Sequence, residues 1–147
     1  APYRQTCMIQ LPVTGECLCR AVRFEARAEP IVTRQCWCRL CQYVGAGSST
    51  VNVASETKHV TITAELRRYV SIADSGNKLQ RGFCPTCGTP VTSEAEIRPH
   101  LIFLRSGTLD DPSIVRPAVN IWTRQAPQWV HLDPDLPQVP GQPPPAA

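Results

Sequence analysis

Hydrophobic and polar positions along the chain follow a two-residue period far more often than a helical one. Residues 20–28, Arg-Ala-Val-Arg-Phe-Glu-Ala-Arg-Ala, alternate polar and apolar side chains, as a strand buried on one face does. Residues 6–13 read as a first short strand, which Gly15 turns toward Cys17. Pro30 interrupts the pattern, and residues 31–35 lead into a cluster of thiols. At most one helical turn is expected after Cys41, stopped by Gly45 and Gly47. Residues 49–70 are rich in Val, Ile, Thr and Tyr and read as strands joined by short turns. Asp74-Ser75-Gly76-Asn77 is a turn, and residues 78–83, 90–96, 101–105 and 119–123 are further strands. Gly88 stands where a positive φ is expected after a thiol turn. Residues 107–112 are turn chemistry, so Asp110 and Asp111 read as turn residues and not as general bases. Trp122 and Trp129 are assigned to the core. No stretch carries a 3.6-residue apolar period and no repeat is present, so the chain is mainly β. One domain is expected over residues 1–131. Residues 132–147 form a Pro-rich C-terminal tail without packing residues, extended or disordered.

Composition changes this picture at one residue type. Eight of 147 residues are Cys. Seven of them fall in tight groups: Cys17-x-Cys19, Cys36-x-Cys38-x-x-Cys41 and Cys84-x-x-Cys87. Cys-x-Cys and Cys-x-x-Cys place two sulfurs on one side of a turn, as a tetrahedral ion needs. Such near neighbours form disulfides only with strain, so the pattern reads as metal. Zinc is the default ion for thiolates. The seven thiols divide as four and three. Cys17, Cys19, Cys84 and Cys87 make a closed structural site; Cys36, Cys38 and Cys41 hold a second zinc with an open fourth position. Three alternatives stay open on spacing alone. Cys7 could complete the second site, Cys17/Cys19 could pair with Cys36/Cys38, or the thiols could carry an iron–sulfur cluster.

The formal charge of +3 counts every Cys as neutral. Four thiolates around one divalent zinc carry −2 and three around another −1, which together cancel it. No basic run exceeds Arg67-Arg68, so nucleic acid is not the expected partner. No apolar stretch is long enough to span a bilayer, and Ala-Pro-Tyr-Arg-Gln-Thr at the start does not read as a signal peptide. With thiols read as metal ligands, the expected location is cytoplasmic. A homo-oligomer is left open. The three His, at 59, 100 and 131, are scattered and read as surface or turn residues.

The motifs in order are Gly15-x-Cys17-x-Cys19-x-x-Val22-x-Phe24, Cys36-x-Cys38-x-x-Cys41, Phe83-Cys84-x-x-Cys87-Gly88, Gly107-Thr-Leu-Asp110-Asp-Pro112 and Trp129. Together they resemble the glutathione-dependent formaldehyde-activating enzyme family, which also includes centromere protein V. The resemblance implies a β-tent of several coiled antiparallel sheets with little helix, stapled by zinc. It implies structural zinc on Cys17, Cys19, Cys84 and Cys87, catalytic zinc on Cys36, Cys38 and Cys41, and hence two zinc per chain. The implied activity is that of a carbon–sulfur lyase, joining a thiol such as glutathione to an aldehyde such as formaldehyde, or the reverse. Arg39 is a candidate partner for a substrate carboxylate. Three positions depart from the family's usual residues: Arg20 stands for Gly, Trp37 for His, and Gln42 for a frequent Arg. Trp37 and Gln42 lie next to the trio, so they bear on substrate more than on metal. Two competing readings are a non-catalytic zinc-stapled module that binds protein or nucleic acid, and a zinc store or thiol redox sensor.

Overall fold

The structure is a computed structural model and describes residues 9–147. Its strands are β1 (Val13–Glu16), β2 (Arg23–Ala26), β3 (Val32–Cys36), β4 (Thr50–Glu56), β5 (Val60–Ile62) and β6 (Arg67–Ile72). They continue with β7 (Lys78–Phe83), β8 (Pro90–Ala95), β9 (Leu101–Arg105), β10 (Val119–Ile121) and β11 (Gln138–Val139). The single α-helix among the described residues is α1 (Arg39–Val44). The fold is therefore mainly β, with almost no helix. A small sheet runs β1-β2-β5, and a large one runs β11-β10-β3-β4-β9-β8-β7-β6. Pairing is antiparallel except where β10 lies parallel to both β3 and β11.

The large sheet uses its two faces differently. Val53, Val91, Ile102 and Leu104 turn inward and pack in the main core with Val13 and Phe24 of the small sheet and with Val22, just before β2. Arg34, Asn52 and Arg105 face the other way. Arg34 is paired with Asn52 across β3 and β4, and Asn52 with Arg105 across β4 and β9, so the three form one row. Two residues further along the same face lie Cys36 and Thr50, again paired.

Several local expectations shift. The alternating segment 20–28 is a strand only over Arg23–Ala26, with Phe24 and Ala26 buried. Residues 20–22 belong instead to the thiol turn, because Cys17 N–H donates to the Val22 carbonyl (2.9 Å). The segment 6–13 meets β1 only at its last residue, and residues 6–8 lie outside the described part. Gly15 is not a turn residue. It sits within β1 because a Cβ there would come within 2.3 Å of the Phe24 ring and 2.4 Å of the Thr108 carbonyl. Helix α1 starts before Cys41 and not after it, because Cys38 caps it: the Cys41 N–H donates to Cys38 Sγ (3.4 Å). Gly45 closes it, donating to the Cys41 carbonyl (2.7 Å). Trp129, expected in the core, is 74% exposed. The sandwich is closed without it by the aliphatic side chains of the two sheets.

The Pro-rich segment is extended and lies along the large sheet. Gln138 and Val139 pair with Asn120 and Ile121. Trp122 Nε1 donates to Gln142 Oε1 (3.0 Å), and Arg34 Nη2 donates to the Pro144 carbonyl (2.8 Å). Ala146 is 2% exposed and packs with Val32, Ala54 and Leu101. Proline without apolar bulk can still pack where its carbonyls find buried donors.

Candidate metal centre and cleft

Two groups of thiols form, with the membership the spacing suggests. The sulfurs of Cys17, Cys19, Cys84 and Cys87 lie within 4.8 Å of one another, and so do those of Cys36, Cys38 and Cys41. In the quartet, Cys19 Sγ is 3.6 Å from Cys17 Sγ and 3.7 Å from Cys84 Sγ. A regular tetrahedron with bonds of about 2.3 Å sets sulfurs roughly 3.8 Å apart, whereas a disulfide sets them about 2.05 Å apart. All seven described cysteines are free thiols. The donor sets therefore fit a soft divalent ion such as zinc. Cys17/Cys19 do not pair with Cys36/Cys38. Cys7 lies outside the described residues.

The quartet is assembled by two turns of similar design. In the first, Val22 N–H donates to Cys17 Sγ (3.3 Å), and Arg20 takes a positive φ of 68°. In the second, Thr86 and Cys87 N–H point at Cys84 Sγ (3.4 and 3.5 Å), and Gly88 has a φ of 75°. Thr89 bridges them. Its hydroxyl accepts from Leu18 N–H (3.2 Å) and lies 3.0 Å from Cys87 Sγ. That hydroxyl contact holds the Cys87 thiol down at about 5, against an ordinary 9.0.

The trio is buried throughout and packs with Val119, Ile121 and Trp122. Its sulfurs share charge unequally. Hydrogen bonds from Cys36 and Cys38 hold Cys41 down to about 3, aided by Thr50 and the charge of Arg105. Hydrogen bonding to Cys38 and Cys41, with burial, pushes Cys36 far up. Three close thiols cannot all ionise without a cation, and a divalent ion removes that conflict.

Cys36, Cys38 and Cys41 line a cleft of about 140 Å³. No cysteine of the quartet does. The cleft rests on the outer face of the large sheet. Its walls include Arg34, Asn52, Arg105, Trp122 and the C-terminal Gln142, Pro145 and Ala146. Trp122 holds a left-handed φ of 57° at its edge, an unusual position for a bulky residue. Arg105 Nη1 donates to Asn52 Oδ1 (2.6 Å), and Asn52 Nδ2 donates to Thr50 Oγ1 (3.0 Å).

The profile of the family described as glutathione-dependent formaldehyde-activating enzyme matches residues 12–125. The chain belongs to that family. A crystal structure of a Rhodobacter sphaeroides protein aligns with a TM-score of 0.51 at 20% identity, covering 66% of this chain and 87% of that one. At that identity the likeness is one of fold. No curated protein matches this chain.

Within this family member, the remaining candidates take clear places. Arg39 is exposed and turned away from the cleft: Nη1 donates to Gln42 Oε1 (2.6 Å), and the guanidinium lies 5.1 Å from the centre of the Tyr43 ring. Trp37 and Gln42 brace the trio from behind. Trp37 Nε1 donates to Asn120 Oδ1 (3.0 Å), and Gln42 Nε2 donates to the Trp37 and Gln125 carbonyls (2.8 and 2.9 Å). Asp111 caps a 3₁₀ turn through Ser113, which lowers its pKa, and Asp110 accepts from Thr14 Oγ1 (2.6 Å). Trp122 is buried, as expected, and also forms cleft wall. The sequence reading missed Arg34 and Arg105. One signal was there: Arg34 stands two residues before Cys36, on the same strand face.

Proposed function

We propose that this family member is a zinc-dependent carbon–sulfur lyase or synthase, joining a thiol to an aldehyde at the Cys36/Cys38/Cys41 site. The observation that carries the reading is that the trio lines a cleft to which no quartet cysteine contributes. Quartet zinc is then structural and trio zinc catalytic, two per chain. Among the described residues no helix is long and apolar enough to cross a membrane. Free thiols at all seven described cysteines suit the reducing cytoplasm.

In the forward direction the thiol sulfur bonds to the aldehyde carbon. The carbonyl π pair moves to oxygen, which takes up the proton the thiol gives away. The reverse reaction breaks that carbon–sulfur bond. Zinc, when bound, lowers the pKa of a thiol and polarises a carbonyl oxygen. The chain's own residues do the rest. Cys36, Cys38 and Cys41 hold the centre in a buried pocket, Gln42 and Trp37 fix the loop that carries them, and the narrow cleft brings both reactants together with little water. Glutathione and formaldehyde are the pair the family's description specifies.

Exchange NMR tests this. Formaldehyde is mixed with glutathione and, separately, with smaller thiols, and the adduct exchange rate is read with and without protein. An acceleration for at least one thiol, absent in Cys38→Ser, is expected. No acceleration with any of them would falsify the assignment.

A further inference from the structure

Arg34 and Arg105 are 4% and 7% exposed, yet neither is fully hydrogen-bonded. Arg34 gives Nη2–H to the Pro144 carbonyl, and Arg105 gives Nη1–H to Asn52 Oδ1. The Nε–H of each has no partner among the described residues. A buried guanidinium with an idle donor is costly, and it has no acceptor capacity of its own. Both side chains lie in the cleft wall beside the trio. They come from strands on either side of β4 and share one cross-strand row through Asn52.

Charge points the same way. With a divalent ion on the trio, three thiolates leave −1, and the two buried guanidiniums bring the pocket to +1. Arg81 and Arg98 add positive charge to the walls, against one carboxylate, Asp74, whose Oδ2 accepts from Gln125 Nε2. One bound carboxylate beside the two guanidinium groups would balance the buried charge.

Size narrows the ligand. Drug-sized pockets hold about 300–1,000 Å³, and this cleft holds about 140 Å³. Gln142, Pro145 and Ala146 form part of its wall. That segment lies beyond residues 12–125, the stretch matched by the family profile.

Resting on the function proposed above, we propose that Arg34 and Arg105 form a carboxylate subsite beside the trio, and that this chain's substrate is a small carboxylate-bearing thiol or aldehyde of a few carbon atoms. The C-terminal segment sets that size limit. A tripeptide thiol would extend beyond the cleft it leaves.

Calorimetry on the full zinc-loaded chain tests the subsite with two thiols of similar size, mercaptoacetate and 2-mercaptoethanol. A hydrogen-bonded charge pair predicts at least about tenfold tighter binding of mercaptoacetate, and a ratio near one in Arg34→Gln and Arg105→Gln. Equal binding of the two thiols overturns the proposal, as does glutathione binding more tightly than mercaptoacetate. Should the variants fail to fold, the arginine Nε–H signals of the unmutated protein decide. They shift with mercaptoacetate and not with 2-mercaptoethanol if the subsite exists; no shift with either overturns it. If neither thiol binds, the open-metal reading has failed. Propionate then judges the subsite alone: saturable binding that shifts the Nε–H signals supports it, and no binding overturns it.

Discussion

The quartet and the trio use the same side chain for opposite ends. Cys19 and Cys84 are 65 residues apart in sequence, and their sulfurs lie 3.7 Å apart. An ion at the quartet would tie the β1–β2 hairpin to the β7–β8 turn, and so the small sheet to the large one. The trio spans six residues at the end of β3 and the start of α1, so an ion there closes almost no loop. The quartet borders the main core and includes an exposed thiol, Cys19; the trio is buried but opens on a cleft. Stability should therefore depend on the site that joins distant segments, and chemistry on the one that joins nearly none.

The sharpest way to break this contrast is to remove one ligand from each site. Cys84→Ser is expected to unfold the chain and release both metals. Structural zinc binding is worth about 10–16 kcal/mol in small domains, comparable to the whole stability of a domain. Cys38→Ser is expected to keep the fold, lose about one zinc and lose activity. Far-UV circular dichroism and metal analysis read both. A folded Cys84→Ser protein, or an unfolded Cys38→Ser one, would reverse the roles assigned here.

A second, smaller effect concerns acid. The Cys87 thiol is held at about 5, with the Thr89 hydroxyl the largest cause. A group whose folded pKa is depressed contributes stability that is complete above its unfolded value. That contribution fades as pH falls, and it is gone below about 5. Thr89→Val removes the hydroxyl, so quartet metal and fold should be lost at a higher pH than in the unmutated protein. The trio metal should leave with the fold at that same higher pH, although Thr89 does not touch the trio. A pH titration followed by zinc release and circular dichroism shows this, and an unchanged midpoint would remove Thr89 from the account.

The smallest effect sharpens the quartet alone. Arg20 adopts a φ of 68° in the first thiol turn, where the family usually has Gly. A left-handed conformation costs an L-residue about 1 kcal/mol or more, partly offset by the extra chain entropy glycine loses on folding. Arg20 also contacts Glu16 (3.4 Å), an exposed pair of little value. Arg20→Gly should stabilise by less than about 1 kcal/mol in chemical denaturation, with activity unchanged. A marked loss of stability would mean the Glu16 contact outweighs the backbone strain.

Much of this was legible because metal-binding turns are local. Two sulfurs two or three residues apart must lie on one turn, whatever the rest of the chain does. Residues 23–26 show their buried face by alternation alone, and Gly88 shows its positive φ by its place after Cys87. Other local readings failed where a distant contact overrode them. Gly15 looked like a turn until the Phe24 ring and the Thr108 carbonyl claimed its missing side chain. Trp129 looked like core because it is large and apolar, but the sheets close without it.

The sequence by itself determined the number and grouping of the thiols, the mainly β character and the family. Only the tertiary structure decided which thiol pairs meet, that Arg34 and Arg105 flank Asn52 in one row, and that the C-terminal segment walls the cleft. The physical reason is register. Period and spacing tell which face a residue takes, but the neighbour across the sheet is set by strand pairing between segments tens of residues apart. The thiols could be found by counting, and Arg34 by its place two residues before Cys36; that Arg105 joins it in the cleft emerged only once the strands were paired.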